Sequence, residues 1–212
     1  MADHRTTSKL PIVIGAVVFL WALADVVLDG PLRHWDRTAL MGAQPPAHQP
    51  LGWRLVSDIG GPWVLTVALV GAAIVHLLRR RTVQPLIRAA VCLVALEATI
   101  WLAKATIGRS APRSQVDELA AHGMSFPSGH TAGSFALLTI AAALVVPSGT
   151  RLATFTAWFI PVISAVVGVS TVVLHFHWPT DVMAGWGLGL VAATLIRSSV
   201  AQPDVLVLRT AR

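Results

Sequence analysis

Residues 86–107 read LIRAAVCLVALEATIWLAKATI, an apolar run of 22 residues interrupted only by Arg88, Glu97 and Lys104. About 20 consecutive, mostly apolar residues carry an α-helix across roughly 30 Å of hydrocarbon, so this run reads as a membrane span. Five more runs of the same kind flank it, at residues 10–28, 60–78, 130–146, 152–173 and 182–196. The expected fold class is all-α, an integral membrane bundle of six transmembrane helices.

Composition agrees. Of 212 residues, 55% are hydrophobic and 12% charged, with a mean hydropathy of +0.69, against roughly 25% charged in an ordinary soluble domain. The net charge of +6 and a pI near 11.2 raise the question of nucleic acid. The basic residues sit between apolar runs rather than on an aromatic-studded soluble domain, which argues against that partner. The single cysteine, Cys92, lies within the 86–107 run and forms no intramolecular disulfide. The first run has an apolar core longer than that of a signal peptide, no Ala-x-Ala site follows it, and Asp25 lies near its end, so it reads as a retained helix. No repeat and no second domain is visible. The chain reads as one membrane-embedded domain over 1–212, with its core at about 10–197 and a short cytoplasmic tail at 198–212.

Arginines and lysines set the orientation. Arg5, Lys9, Arg79, Arg80, Arg81, Arg88, Arg151, Arg197, Arg209 and Arg212 fall on one side of the spans, and Arg33, Arg37, Arg54, Lys104, Arg109 and Arg113 on the other. The excess belongs on the cytoplasmic side, which puts both termini there. Residues 29–59 include Gln44-Pro45-Pro46-Ala47-His48-Gln49-Pro50 and are expected to be irregular, with a short interfacial helix anchored by Trp35 and Trp53.

This topology brings three polar segments to the outer face. They are Lys104 to Pro112, the turn Phe126-Pro127-Ser128-Gly129-His130, and His175-Phe176-His177-Trp178-Pro179-Thr180-Asp181. Pro127-Ser128-Gly129-His130 opens a helix, so backbone N–H groups near Gly129, the Ser128 hydroxyl and the positive helix end would face an anion. His177 and Asp181, four apart, suit an imidazole held by a carboxylate and free to act as a nucleophile. His130 is placed to protonate a leaving oxygen. Lys104 and Arg109 supply charge for phosphoryl oxygens.

In order and spacing these segments resemble the type 2 phosphatidic acid phosphatase (PAP2) family, membrane lipid phosphatases related to vanadium haloperoxidases. That family's pattern is Lys, six residues, Arg-Pro; Pro-Ser-Gly-His; then Ser-Arg, five residues, His, three residues, Asp. Here the second motif is complete at Pro127 to His130, the third reads Ser170-Thr171, five residues, His177, three residues, Asp181, and the first keeps Lys104 and Pro112. The resemblance spans about residues 10–197. It implies a multi-pass cell-membrane enzyme without cofactor or metal, whose outward-facing site hydrolyses a lipid phosphate through a phosphohistidine on His177. His130 would be the general acid and Asp181 the orienting carboxylate, with Lys104, Arg109, Ser128 and Gly129 at the phosphate.

Two positions depart from the pattern. Ala111 and Thr171 stand where the family has arginines that hold phosphate. Each lost charged hydrogen bond costs about 1.5–3 kcal/mol, so two uncompensated losses would slow turnover by roughly 10² to 10⁴-fold. Arg109, Arg113 and His175 are the candidates to compensate. The expected substrates are phosphatidate, phosphatidylglycerol phosphate or a polyprenyl phosphate or diphosphate, the last fitting carrier recycling for wall synthesis. The alternatives are a lipid phosphotransferase and a non-catalytic lipid-phosphate binder of the same fold.

Each feature also has a plainer reading. Pro-Ser-Gly-His by itself is a helix start, and a zinc site from His130, His175 and His177 is conceivable by ligand type. Asp25 and Glu97, ionisable and at membrane depth, are functional candidates by default but suit structural roles, Glu97 by pairing with Arg88 or another polar group below the site. Gly185-x-Gly187-x-Gly189 fits close helix packing rather than nucleotide binding. Trp178 is expected at the interface, touching lipid.

Overall fold

The computed structural model describes residues 9–43 and 48–200, so Arg5, Gln44 to Ala47, Arg209, Arg212 and the expected tail beyond residue 200 lie outside the described residues. Described residues form eight α-helices and no strand: α1 (Leu10–Val27), α2 (Pro31–Leu40), α3 (Leu51–Ile59), α4 (Pro62–Arg80), α5 (Gln84–Ile107), α6 (Gly129–Val145), α7 (Arg151–Val173) and α8 (Pro179–Val200). A single 3-10 turn, Pro112–Ser114, follows α5.

Five helices, α1, α4, α5, α7 and α8, are long and apolar enough to cross a membrane. The fourth expected span is α6, which has 17 residues. At 1.5 Å per residue it is about 25 Å long, less than the roughly 30 Å of hydrocarbon. Its position explains how so short a helix is accommodated. It packs against α4, α5, α7 and α8, and a helix sheathed by protein need not match lipid thickness, because the backbone at its ends is sheltered by the protein itself.

The distribution of side-chain size follows from the solvent. Large apolar residues on the outer helices point outward, among them Val17 and Trp21 on α1, Val67 on α4, Trp101 on α5 and Trp158 on α7. Inside, Ala132, Ala136 and Ile140 of α6 meet Ala192 and Ile196 of α8 and Leu96 and Ile100 of α5. Small residues let backbones approach closely, which is what holds helices together where lipid removes the hydrophobic drive between them. The glycine run on α8 serves this purpose. A Cβ on Gly187 would lie 2.6 Å from the Gly15 carbonyl oxygen of α1, and one on Gly185 would lie 2.4 Å from the Ser128 carbonyl oxygen.

The 29–59 connection is more ordered than expected, with two helices instead of one. Asp25 at the end of α1 accepts hydrogen bonds from the Leu32 and Arg33 amides (3.2 and 2.7 Å) and so satisfies the free N–H groups that open α2. Asp25 therefore has the structural role its position suggested. One side of α2 exposes Trp35, while the other buries Arg33 and Asp36. That buried side matters for the site.

Candidate active site

The three motif segments converge and are stitched by hydrogen bonds. Trp178 Nε1–H donates to the Ser110 carbonyl (2.8 Å), joining the loop after α5 to the turn before α8. The Ser128 amide donates to the Asp181 carbonyl (2.9 Å), joining the start of α6 to α8. His177 Nδ1–H donates to the Ser125 carbonyl (2.8 Å). Phe126, fully buried against Ala22 and Val26 of α1 and Ala184 of α8, pins the 120–128 loop to the bundle.

A cavity of about 710 Å³ opens at this junction. Its polar end is lined by Lys104, Ser125, Gly129, His130 and His177, with Ala111 and Arg113 beside them. Its apolar end runs between α4 and α5 over α6, past Leu65, Leu69, Leu93 and Leu137. The helices α4 and α5 follow each other in sequence yet barely touch. The gap between them makes the cavity a groove with a polar head and an apolar body, matching an amphiphile.

His177 is 6% exposed. Because a carbonyl oxygen can only accept, its bond to Ser125 puts the proton of the neutral ring on Nδ1 and leaves the lone pair on Nε2. His130 faces it edge-on with ring centroids 6.1 Å apart, on the scale of one phosphoryl group held between two nitrogens. Lys104 donates from Nζ to the Met124 carbonyl, which uses one of three ammonium protons and turns the head toward the polar end. At the start of α6 the Gly129 and His130 amides have no partner among the described residues. A Cβ built on Gly129 meets nothing within 4 Å, so an anion can approach this helix end closely.

Other expectations need correction. Asp181 was expected to hold the His177 ring, but its Oδ2 is 3.7 Å from Nδ1, beyond hydrogen-bond length although close enough to offset a charge on the ring. Its oxygens instead accept from the Trp178 amide (2.9 Å), the Ser125 hydroxyl and Arg109 (2.8 Å). Ser128 is fully buried and accepts from the Thr131 amide and hydroxyl (3.4 and 3.0 Å). It is the cap of α6, off the cavity wall, and its contribution to the cradle is to hold that helix end in place.

Arg109 is the largest correction. Expected at the phosphate, it is 0% exposed and all three nitrogens of its guanidinium are engaged. Nε donates to Asp117 (2.8 Å), Nη2 to Asp36 (2.9 Å), and Nη1 to Asp181 and the Thr180 hydroxyl (2.8 and 2.7 Å), while the group lies over the Trp178 ring at 5.1 Å. Asp36 also accepts from the Thr180 amide (3.1 Å) and hydroxyl. Arg33 adds a second guanidinium on Asp117 (2.7 Å), and Arg37 pairs with Asp29 (2.7 Å). Three guanidinium groups thus meet four carboxylates. Trp178, expected against lipid, is fully buried beneath this network.

Of the candidates to compensate for Ala111 and Thr171, Arg113 lines the cavity, 6.0 Å from the Phe176 ring. His175 does not. It is 7% exposed at a positive φ of 57°, with Nδ1 at 3.2 Å from the Val173 carbonyl and Nε2 buried without a partner. It does not assemble with His130 and His177, and among the described residues no cluster of three or more His, Cys, Asp or Glu could hold a metal. Thr171 is fully buried with its hydroxyl on the Gly168 carbonyl (2.7 Å). Glu97 is not paired with Arg88, which donates to the Ser199 carbonyl (3.0 Å); it lines the groove.

The sequence profile of the PAP2 superfamily matches residues 85–203, from the start of α5 to beyond α8. The chain belongs to the PAP2 superfamily. Its bundle also resembles the crystal structure of a transmembrane PAP2-type phosphatidylglycerolphosphate phosphatase from Bacillus subtilis, with a TM-score of 0.69 over 87% of this chain and 94% of that one. At 22% identity this likeness shows the fold, that of a multi-pass membrane protein. No curated protein matches the sequence. The PAP2 match begins after α2, so Asp36 and Arg33, which grip the PAP2 motif residues through Arg109 and Asp117, come from outside it.

Proposed function

We propose that this protein is a membrane lipid phosphatase acting through a phosphohistidine on its extracytoplasmic face. The observation that carries this reading is His177, whose Nδ1–H is committed to Ser125 while the ring lines the same cavity as His130. Nε2 attacks phosphorus, a P–N bond forms and the P–O bond to the lipid breaks. His130 gives its proton to the departing lipid oxygen, then takes one from the water that splits the P–N bond and releases phosphate. Lys104, Arg113 and the Gly129 and His130 amides hold the non-bridging oxygens, where preorganised donors contribute most to phosphoryl transfer. Asp181, 3.7 Å away, offsets the positive charge the ring acquires.

The groove between α4 and α5 takes the lipid chain, and phosphatidate, phosphatidylglycerol phosphate and polyprenyl phosphates all have the required shape of anionic head and apolar body. The sidedness rests on the excess of Arg and Lys, led by Arg79 to Arg81, at the end of the bundle away from the site. A second reading, a binder without turnover, is favoured by the burial of Arg109 and by Ala111. Among the described residues these leave Lys104 and Arg113 as the cations on the cavity wall.

Trapping separates the two. Brief reaction with a phosphorus-labelled lipid phosphate, quenched in base, should leave label on the peptide carrying His177, and acid should release it. Absence of label from wild-type protein that binds the lipid favours the binder.

A further inference from the structure

Glu97 has no place in the chemistry just described. It lies on α5 seven residues before Lys104, two helical turns along the same face and about 10 Å deeper at 1.5 Å per residue. Both residues line the one groove. Among the described residues Glu97 forms no hydrogen bond or ion pair, because Arg88 is bonded to Ser199 and Lys104 is turned to Met124. On the opposite wall, one turn into α4 from Pro62, Thr66 also lines the groove without a partner. Below the phosphate the groove wall is therefore apolar except at these two residues, a carboxylate on α5 and a hydroxyl on α4. An ionisable side chain at membrane depth is costly and marks function.

We propose that Glu97, with Thr66 across the groove, selects lipid phosphates whose first segment below the reacting phosphate is uncharged, and turns away those that carry a second anion there. This deepens the phosphatase reading and rests on it. Phosphatidate places neutral ester groups at that level. Phosphatidylglycerol phosphate places a phosphodiester anion there, one glycerol below the reacting phosphate, where it meets a like charge in a groove that screens poorly.

The test compares kcat/KM for these two lipids in detergent, using the full-length protein, Glu97→Gln and Glu97→Lys. A ratio of two substrates on one preparation is insensitive to how much of a variant has folded. The expected result is a ratio of phosphatidylglycerol phosphate to phosphatidate that rises roughly tenfold or more in Glu97→Gln and further in Glu97→Lys. If both lipids are turned over at one unchanged ratio by all three proteins, this inference falls and the phosphatase reading stands. If none of the three turns over either lipid, this inference falls, and the phosphatase reading falls with it only if wild type also releases no phosphate from polyprenyl phosphates.

Discussion

Arg109 Nη1 and Asp181 Oδ1 are 2.8 Å apart, with both side chains 0% exposed. Breaking a buried pair by removing one partner costs about 3–5 kcal/mol, because the other charge is left uncompensated. Here three carboxylates, on Asp36, Asp117 and Asp181, lose their common partner at once. Arg109→Gln should therefore lower the thermal unfolding temperature in detergent sharply, and Arg109→Lys by less, since an ammonium keeps the charge but lacks the fork that reaches three acids. An Arg109→Gln protein as stable as wild type, with weakened phosphate binding, would restore the direct role first expected of this residue.

Arg109 shows where sequence reasoning stops. Lys104, Gly129, His130 and His177 were legible because they sit in motifs whose order and spacing carry the PAP2 resemblance, and the structure does bring them to one cavity. The same motif logic placed Arg109 at the phosphate. A guanidinium beside a phosphate and one beside three carboxylates look alike in sequence, and two of the deciding acids lie far away along the chain, Asp36 on α2 and Asp181 on α8, with Asp117 nearer in the loop after α5. Trp178 was misplaced for the same reason: an amphipathic ring suits the interface until a buried guanidinium and the Ser110 carbonyl claim it. Ser125 was missed although it stands three residues before Ser128, because its carbonyl, which every residue possesses, holds His177. The membrane class and five of the spans were readable from run length alone. The order of the 29–59 connection was not, since α2 depends on a cap from Asp25 and on burial of Asp36.

Asp36 predicts a pH effect. Burial pushes its carboxyl up to about 6 from an ordinary 3.8. A folded-state value above the unfolded one means that the folded protein holds the proton more tightly, so this group's contribution to stability is fully present below about 4 and is lost as pH rises through about 6. The unfolding temperature of wild type relative to Asp36→Asn should therefore increase as pH is lowered from 7 to 4. A difference that stays constant over that range would show that Asp36 titrates normally.

Ala111 predicts a gain. It lines the polar end of a cavity of about 710 Å³, which leaves room for a longer side chain. One added charged hydrogen bond to the phosphoryl group, at about 1.5–3 kcal/mol, corresponds to roughly 10 to 100-fold in kcat/KM. Ala111→Arg should rise by that order on whichever lipid phosphate the wild type prefers. An unchanged or lower value would mean that Arg113 already fills the position.

Sidedness has an independent check. In a Cys92→Ser background, Ser114→Cys, exposed beside the site, should react with an impermeant thiol reagent in intact cells, and Arg80→Cys should react only after lysis. The reverse pattern would turn the bundle over and put the site on the cytoplasmic face.

The central claim is that His177 is a nucleophile toward a lipid phosphate. Its most direct measurement is phosphate release from a panel of phosphatidate, phosphatidylglycerol phosphate and polyprenyl phosphates by wild type and His177→Ala in detergent with EDTA. Turnover by wild type on at least one lipid, abolished in His177→Ala while the variant unfolds at the same temperature, is the predicted result. Equal release by the two proteins across the whole panel would contradict it.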